Sequence, residues 1–304
     1  MKYFEWRGEK VSQFVLGAAQ LGMNYGITNQ TGQPNKKEAF AILDEAVKNG
    51  VTTIDTAQAY GNSEEIIGQW LHKNNNKEHR IHIISKWNAN VDIKNKEQLK
   101  SSAQTSAKTL GVPLWGMMIH DEMHLNQLDV ILSASKELKK EGVFKYLGAS
   151  VYSIEAAKKA IMNTDIDFIQ VPCNAWDHRM IDSGVFELAQ KNNALCFVRS
   201  VFLQGLLLMN ENDAKEILPE SFGLSSEWNS LISNSNQTNE SMALSFVNSL
   251  NLPLVIGQQG VDQFKNNYDS LKNARDFIFN EQLSQIMGAT FNDYIVSPQL
   301  WKKQ

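Results

Sequence analysis

The stretch Ile54-Asp55-Thr56-Ala57-Gln58-Ala59-Tyr60-Gly61-Asn62-Ser63-Glu64 decides how the rest of the chain is read. It follows a β-branched run, Val51-Thr52-Thr53-Ile54, that reads as a short buried strand. It leads to Asn62 and Ser63, either of them a good N-cap. Glu65 stands three residues past Asn62, where it would close a capping box. An acid and a phenol therefore lie between the C-terminal end of a strand and the start of a helix. In parallel α/β proteins that is where reactive side chains gather.

The same alternation runs along the chain. Tyr3–Trp6 and Lys10–Phe14, around Arg7-Gly8-Glu9, read as a β-hairpin. Buried strands are expected at Phe14–Gly17, Thr53–Asp55, His82–Lys86, Met117–His120, Tyr146–Ala149, Phe168–Val171, Cys196–Arg199 and Leu254–Ile256. Helical apolar spacing falls between them, at Lys36–Asn49, Glu64–Leu71, Lys96–Leu110, Asn126–Glu141, Ile154–Ile161, Gly184–Asn192 and Glu240–Leu250. Eight strands, each followed by a helix or a candidate for one, in a chain of 304 residues predict an α/β fold, a (β/α)8 TIM barrel with an N-terminal β-hairpin. A doubly wound sheet is the alternative, disfavoured by the even spacing.

Two segments break the rhythm. Asn24–Pro34 is a polar, glycine-containing loop after the first barrel strand, and Asn210–Asn236, around Trp228, is a long connection after the seventh. Connections of that length tend to be functional. The tail from Asp276 to Gln304 has helical spacing at first and then turns polar. With no Gly/Ser-rich linker, residues 1–304 read as one domain. The charge balance, 29 Lys+Arg against 33 Asp+Glu, speaks against nucleic acid as a partner. Two cysteines, Cys173 and Cys196, sit in apolar runs and read as buried thiols in a reducing compartment. No leader is visible and no apolar run reaches the roughly 18 residues of a membrane span, so a cytoplasmic protein is expected.

Four polar groups end consecutive strands or their loops: Asp55, Tyr60, Lys86 and His120. On a barrel they would converge on one rim. A phenol has an unperturbed pKa near 10, so it donates a proton poorly unless its anion is stabilised. A neighbouring Lys86 ammonium, kept charged by Asp55, is expected to do that, with His120 donating to a carbonyl oxygen. Such a set suits a carbonyl receiving hydride, which side chains cannot supply. No G-x-G-x-x-G and no phosphate-binding P-loop occurs, so a dinucleotide would need another architecture. The histidines show no metal-ligand pattern: His120 and His124 lack the glutamate of H-E-x-x-H, and no metal is expected.

These residues resemble the aldo/keto reductase family, whose D-T-A-x-x-Y-G-x-S-E stretch is similar to Asp55–Glu64. The resemblance covers nearly the whole chain. It implies a barrel that binds NADP(H) across its C-terminal rim and a catalytic tetrad of Asp55, Tyr60, Lys86 and His120. Ser150, in Gly148-Ala149-Ser150, and Gln170 match carboxamide contacts, although Val151 replaces the family's Asn. Arg199-Ser200-Val201-Phe202-Leu203-Gln204-Gly205 is similar to the pyrophosphate-wrapping segment and implies Arg199, Ser200, Gln204 and Gly205 as contacts. Arg199 stands where many members carry a stacking Tyr; it either lies over the nicotinamide or reaches a phosphate. In Val255–Asn267, the residues Gly257, Gln258, Gln263 and Asn267 fall at adenosine-contacting positions. Members most selective for the 2′-phosphate carry Lys and Arg where Gly257 and Gln263 stand here. The family implies NADP(H), with NAD(H) left open. Gly17-Ala18-Ala19-Gln20-Leu21-Gly22 looks most like members found beside sugar-modifying enzymes and points toward a sugar-derived carbonyl.

Met23, Tyr25, Trp87, Trp176 and the 210–236 segment are candidate walls of a substrate pocket for a small-molecule carbonyl. His178-Arg179 reads either as an anion contact or as a solvated loop. The activity expected is reduction of an aldehyde or ketone to the alcohol. Two rivals stand: a non-catalytic cofactor-binding regulatory subunit, and a Schiff-base lyase using Lys86.

Overall fold

A computed structural model describes residues 1–74, 81–274 and 293–301. An antiparallel hairpin, β1 (Tyr3–Trp6) and β2 (Glu9–Ser12), precedes eight parallel strands. These are β3 (Phe14–Gly17), β4 (Thr53–Asp55), β5 (His82–Lys86), β6 (Leu114–Ile119), β7 (Phe144–Ser150), β8 (Phe168–Pro172), β9 (Leu195–Arg199) and β10 (Leu254–Gly257). Each pairs with its sequence neighbours, and β10 pairs with β3 (Gly257 opposite Gly17) to close the barrel. The expected (β/α)8 architecture is what the chain adopts.

Inside the barrel the side chains sort by height. Trp115, Tyr146, Phe168 and Phe197 fill the lower part, and Trp6 of the hairpin packs beneath them, 4.9 Å from Tyr146 and 5.8 Å from Trp115 between ring centroids. The hairpin is therefore the barrel's floor. Truncating a buried indole of this kind costs about 3–5 kcal/mol. Two residues farther along each strand the side chains turn polar: Lys86 follows Ile84, Ser150 follows Gly148, Gln170 follows Phe168 and Arg199 follows Phe197. The period-2 alternation of a strand places these on the same inner face, one layer higher. That polar layer lies at the C-terminal rim.

Three local expectations are corrected. Residues 210–236 do not form a long loop: they fold into helices Glu211–Ile217 and Phe222–Ser233, and Trp228 is buried with its Nε1–H donating to the Leu207 carbonyl at 3.0 Å. The capping box at Asn62 does not form. Asn62 Oδ1 instead accepts from Gln33 Nε2 at 2.7 Å, and Ser63 Oγ accepts from Thr56 Oγ1 at 3.0 Å while donating to the Ala18 carbonyl at 2.9 Å, so both side chains are engaged by neighbouring segments. Residues Gln13 and Phe14 do not extend the hairpin: β2 ends at Ser12, and Phe14 opens the barrel. Most of the helical spacing read from Asp276 lies outside the described residues. Among the described residues no helix is long and apolar enough to cross a membrane.

Candidate active site

The site starts from a buried ion pair. Asp55 ends β4 and Lys86 ends β5, and the Lys86 Nζ donates to both Asp55 oxygens at 2.7 Å and to the Thr56 carbonyl at 2.9 Å. Those three bonds use all three ammonium hydrogens. Gln170 Nε2, from β8 across the barrel, donates to Asp55 Oδ1 at 2.9 Å. Lys86 and Asp55 are 0 % and 2 % exposed, so the charges depend on each other for solvation.

Tyr60 sits above this pair. The turn that carries it is pinned by Ala18 N–H to the Asp55 carbonyl at 2.8 Å and by Thr56 N–H to the Ile84 carbonyl at 2.8 Å. The Lys86 ammonium lies 4.8 Å from the Tyr60 ring centroid. His120, one residue past β6, meets the Tyr60 ring edge-on with centroids 6.0 Å apart. Its Nδ1 is buried without a hydrogen-bond partner among the described residues.

Electrostatics correct one expectation. In the free protein the Tyr60 phenol stands above its usual pKa rather than below it: burial first, and then the Asp55 carboxylate, push it up, with Arg199 opposing. Burial also pulls the Lys86 ammonium below its usual range, while Asp55 opposes that fall. His120 is pushed down to about 3 by burial and then by the Lys86 and Arg199 charges. At neutral pH the pair is therefore a neutral phenol beside a neutral imidazole.

Tyr60 and His120 open into a cleft of about 1020 Å³ of empty space, part of it open to solvent. Ser150, Gln170, Arg199, Ser200, Gln204, Gly205, Gly257 and Gln263 line it, as does Tyr25 at the mouth. Arg199 is held by the Val151 carbonyl and Ser200 Oγ, both at 3.1 Å, with its guanidinium 4.0 Å from the Tyr152 ring centroid. Over the cleft the loop after β3 clasps the loop after β9. Ile27 N–H donates to the Gln204 carbonyl at 3.2 Å, and a Cβ on Gly205 would fall 2.3 Å from Thr28 Oγ1. Ser200, Leu203 and Gln204, none of them glycine, have positive φ, which concentrates backbone strain on the cleft's edge, and Gly205 continues the turn with φ of 105°.

Other expected site residues do not reach the cleft. Lys86 lies beneath it. Gln258 and Asn267 are 1 % and 2 % exposed and bonded to each other at 3.1 Å, because the helix Val261–Lys272 turns Asn267 inward. Trp87 is 4 % exposed, donates to the Leu99 carbonyl at 3.1 Å and packs on Phe144, so it belongs to the helix–barrel layer. Trp176 is 1 % exposed in the core, and Met23 is not among the cleft's lining residues. Arg179 pairs with Asp177 at 2.8 Å, and buried His178 stacks on Phe246, so neither offers the open anion contact considered above. Sequence reasoning missed Gln20, Thr28, Tyr152 and Gln259, which line the cleft. Tyr152 had a usable signal, since it lies two residues past Ser150 beyond the same strand end.

The family model described as "Aldo/keto reductase family" matches residues 13–285. The chain belongs to the aldo/keto reductase family. It is 32 % identical over 150 residues to aldo-keto reductase str7 of Strobilurus tenacellus, covering 48 % of this chain and 43 % of that protein. It is 28 % identical over 183 residues to the uncharacterized oxidoreductase YqkF of Bacillus subtilis, covering 56 % and 54 %. The chain thus spans about half the length of the curated relatives it matches. The holo form of aldo-keto reductase AKR11C1 from Bacillus halodurans superposes with a TM-score of 0.73 over 99 % of both chains at 20 % identity, a likeness of fold.

Proposed function

We propose that the chain is an NAD(P)H-dependent reductase of an aldehyde or ketone, working from the cytoplasm. The observation that carries this reading is a phenol and an imidazole side by side at the mouth of a cleft, above a buried Lys86–Asp55 pair. The groups along the cleft fit a nicotinamide dinucleotide. Ser150 and Gln170 are register partners at adjacent strand ends and suit a carboxamide, and Arg199 and Ser200 suit an anionic backbone. Gly205 and Gly257 let the chain approach closely, since a Cβ on Gly257 would fall 2.3 Å from Gln20 Oε1. When bound, the dihydronicotinamide supplies hydride to the carbonyl carbon.

The chain's own residues do the rest. His120 donates a hydrogen bond that orients the carbonyl oxygen. Tyr60 Oη gives its proton to that oxygen, and the phenolate so formed regains a proton from solvent. The high pKa of the free phenol keeps the proton in place until oxyanion character develops, and the Lys86 charge beneath the ring is positioned to stabilise the phenolate that results. Asp55 and Gln170 hold Lys86 in register. The Schiff-base reading loses ground because Lys86 spends every donor on Asp55 and Thr56 and lines no part of the cleft. Sugar-derived aldehydes and ketones are the first substrates to try, on the likeness of Gly17–Gly22.

The deciding experiment measures NAD(P)H oxidation with a panel of such carbonyls, for the protein and for Tyr60→Phe. Turnover should fall by at least about 100-fold in the variant while dinucleotide still binds. Near-normal turnover would sink the mechanism. Dinucleotide binding with no turnover of any carbonyl would favour the regulatory-subunit reading.

A further inference from the structure

We infer that the cleft selects NAD(H) over NADP(H), because its far end offers carboxylates and neutral amides where a 2′-phosphate would sit. This rests on the reading of the cleft as a nicotinamide dinucleotide site.

The geometry fixes which end is which. Reduction requires the nicotinamide beside Tyr60 and His120. The cleft runs from there to Gly257, Gln259 and Gln263. A second cavity, about 890 Å³ of empty space, shares Gln259 and Gln263 with it and continues past Gln33 to Glu38 and Asp262. The adenosine half of an extended dinucleotide has this end to occupy. NAD and NADP differ only there, by a phosphate on the adenosine ribose.

Charge along the path is lopsided. Among the described residues lining the two cavities, the single cation is Arg199, and it is held at the Tyr60 end by the Val151 carbonyl, Ser200 Oγ and the Tyr152 ring. The charged residues lining the second cavity are Glu38 and Asp262, both acids. Gln263 Oε1 accepts from Gln259 N–H at 2.7 Å, which leaves its neutral amide N–H₂ as the group to offer a ligand. A neutral amide cannot replace the charge-assisted, bidentate pairing of a guanidinium with a phosphate. Carboxylates repel a phosphate dianion, yet they accept hydrogen bonds from ribose hydroxyls, which is how many NAD sites choose. Glu38 and Asp262 are both exposed, so salt screens part of the repulsion. The missing cation is the larger effect.

The test is a fluorescence titration of the purified protein with NADH and with NADPH, at low and at high salt, following tryptophan emission. NADH should bind roughly tenfold tighter or more, and the gap should narrow as salt rises. Gln263→Arg, and independently Gln259→Arg, should tighten NADPH selectively. The rise in thermal midpoint with each dinucleotide gives a second readout of the same ranking. NADPH binding as tightly as NADH overturns the inference and leaves the reductase reading intact. A folded pair of Arg variants with unchanged NADPH affinity also overturns it. Binding of neither dinucleotide overturns the reductase reading together with the inference.

Discussion

Gln170 Nε2 donates to Asp55 Oδ1 at 2.9 Å across the barrel. The glutamine expected at a cofactor carboxamide therefore also braces the buried acid, and its amide oxygen is the part left to face the cleft. The Gln170→Leu substitution removes that donor from a buried carboxylate and should cost about 1–3 kcal/mol. The Gln170→Glu substitution places a second acid against Asp55 and should cost more at neutral pH. Urea denaturation of the two variants checks the ranking, and equal midpoints would refute it.

Asp55 and Lys86 make a coupled pair at 2.7 Å, almost fully buried. Removing one partner strands the other charge, so Asp55→Leu or Lys86→Met alone should destabilise by about 3–5 kcal/mol. The double variant should be more stable than either single one, because no charge is left unpaired. All three should lose reductase turnover. A double-variant midpoint below both singles would show that packing, not charge, dominates the site.

His120 supplies a pH dependence whose sign follows from its environment. Its pKa falls from 6.5 to about 3 on folding, so the unfolded chain binds the proton more readily between those values. Its contribution to stability is complete above pH 6.5 and is lost as pH falls toward 3. His82 and His178, also pulled down by burial, act in the same direction. The His120→Asn variant should flatten the acid limb of stability against pH. An unchanged limb would assign the effect to the other two histidines.

The same shifts bear on activity. With Tyr60 raised and His120 lowered, neither group titrates between about pH 6 and 9. The profile of kcat/KM for carbonyl reduction should be free of an inflection from either group in that range. A clear inflection that disappears in Tyr60→Phe or His120→Asn would show that ligand binding resets these pKa values.

The clasp between Thr28 and Gly205 can be tested directly. Gly205 has φ of 105° and no room for a Cβ, so Gly205→Ala should cost about 1–3 kcal/mol and weaken dinucleotide binding. Gly142, with φ of 72° and open space around it, lines neither cavity and is the control. The Gly142→Ala substitution should show strain in thermal melts but leave dinucleotide affinity alone. Equal affinity losses would mean the clasp plays no part in binding.

The sequence by itself determined the order of the eight strands and the four polar groups at the ends of β4, β5 and β6. Both are local: period-2 alternation names the buried face, and position at a strand's C-terminal end names the rim. Ser150, Gln170 and Arg199 were legible through their likeness to the family's motifs, and each also continues its strand's inward face. Tertiary structure alone decided what competes for each side chain. Asn62 caps nothing because Gln33 takes its oxygen, Asn267 turns to Gln258, and Trp87 and Trp176 vanish into the core. It also decided the phenol's pKa, which burial first and then the Asp55 carboxylate push up. Spacing along a chain sets which way a residue points, but burial and the partners brought by distant segments set what that residue is able to do.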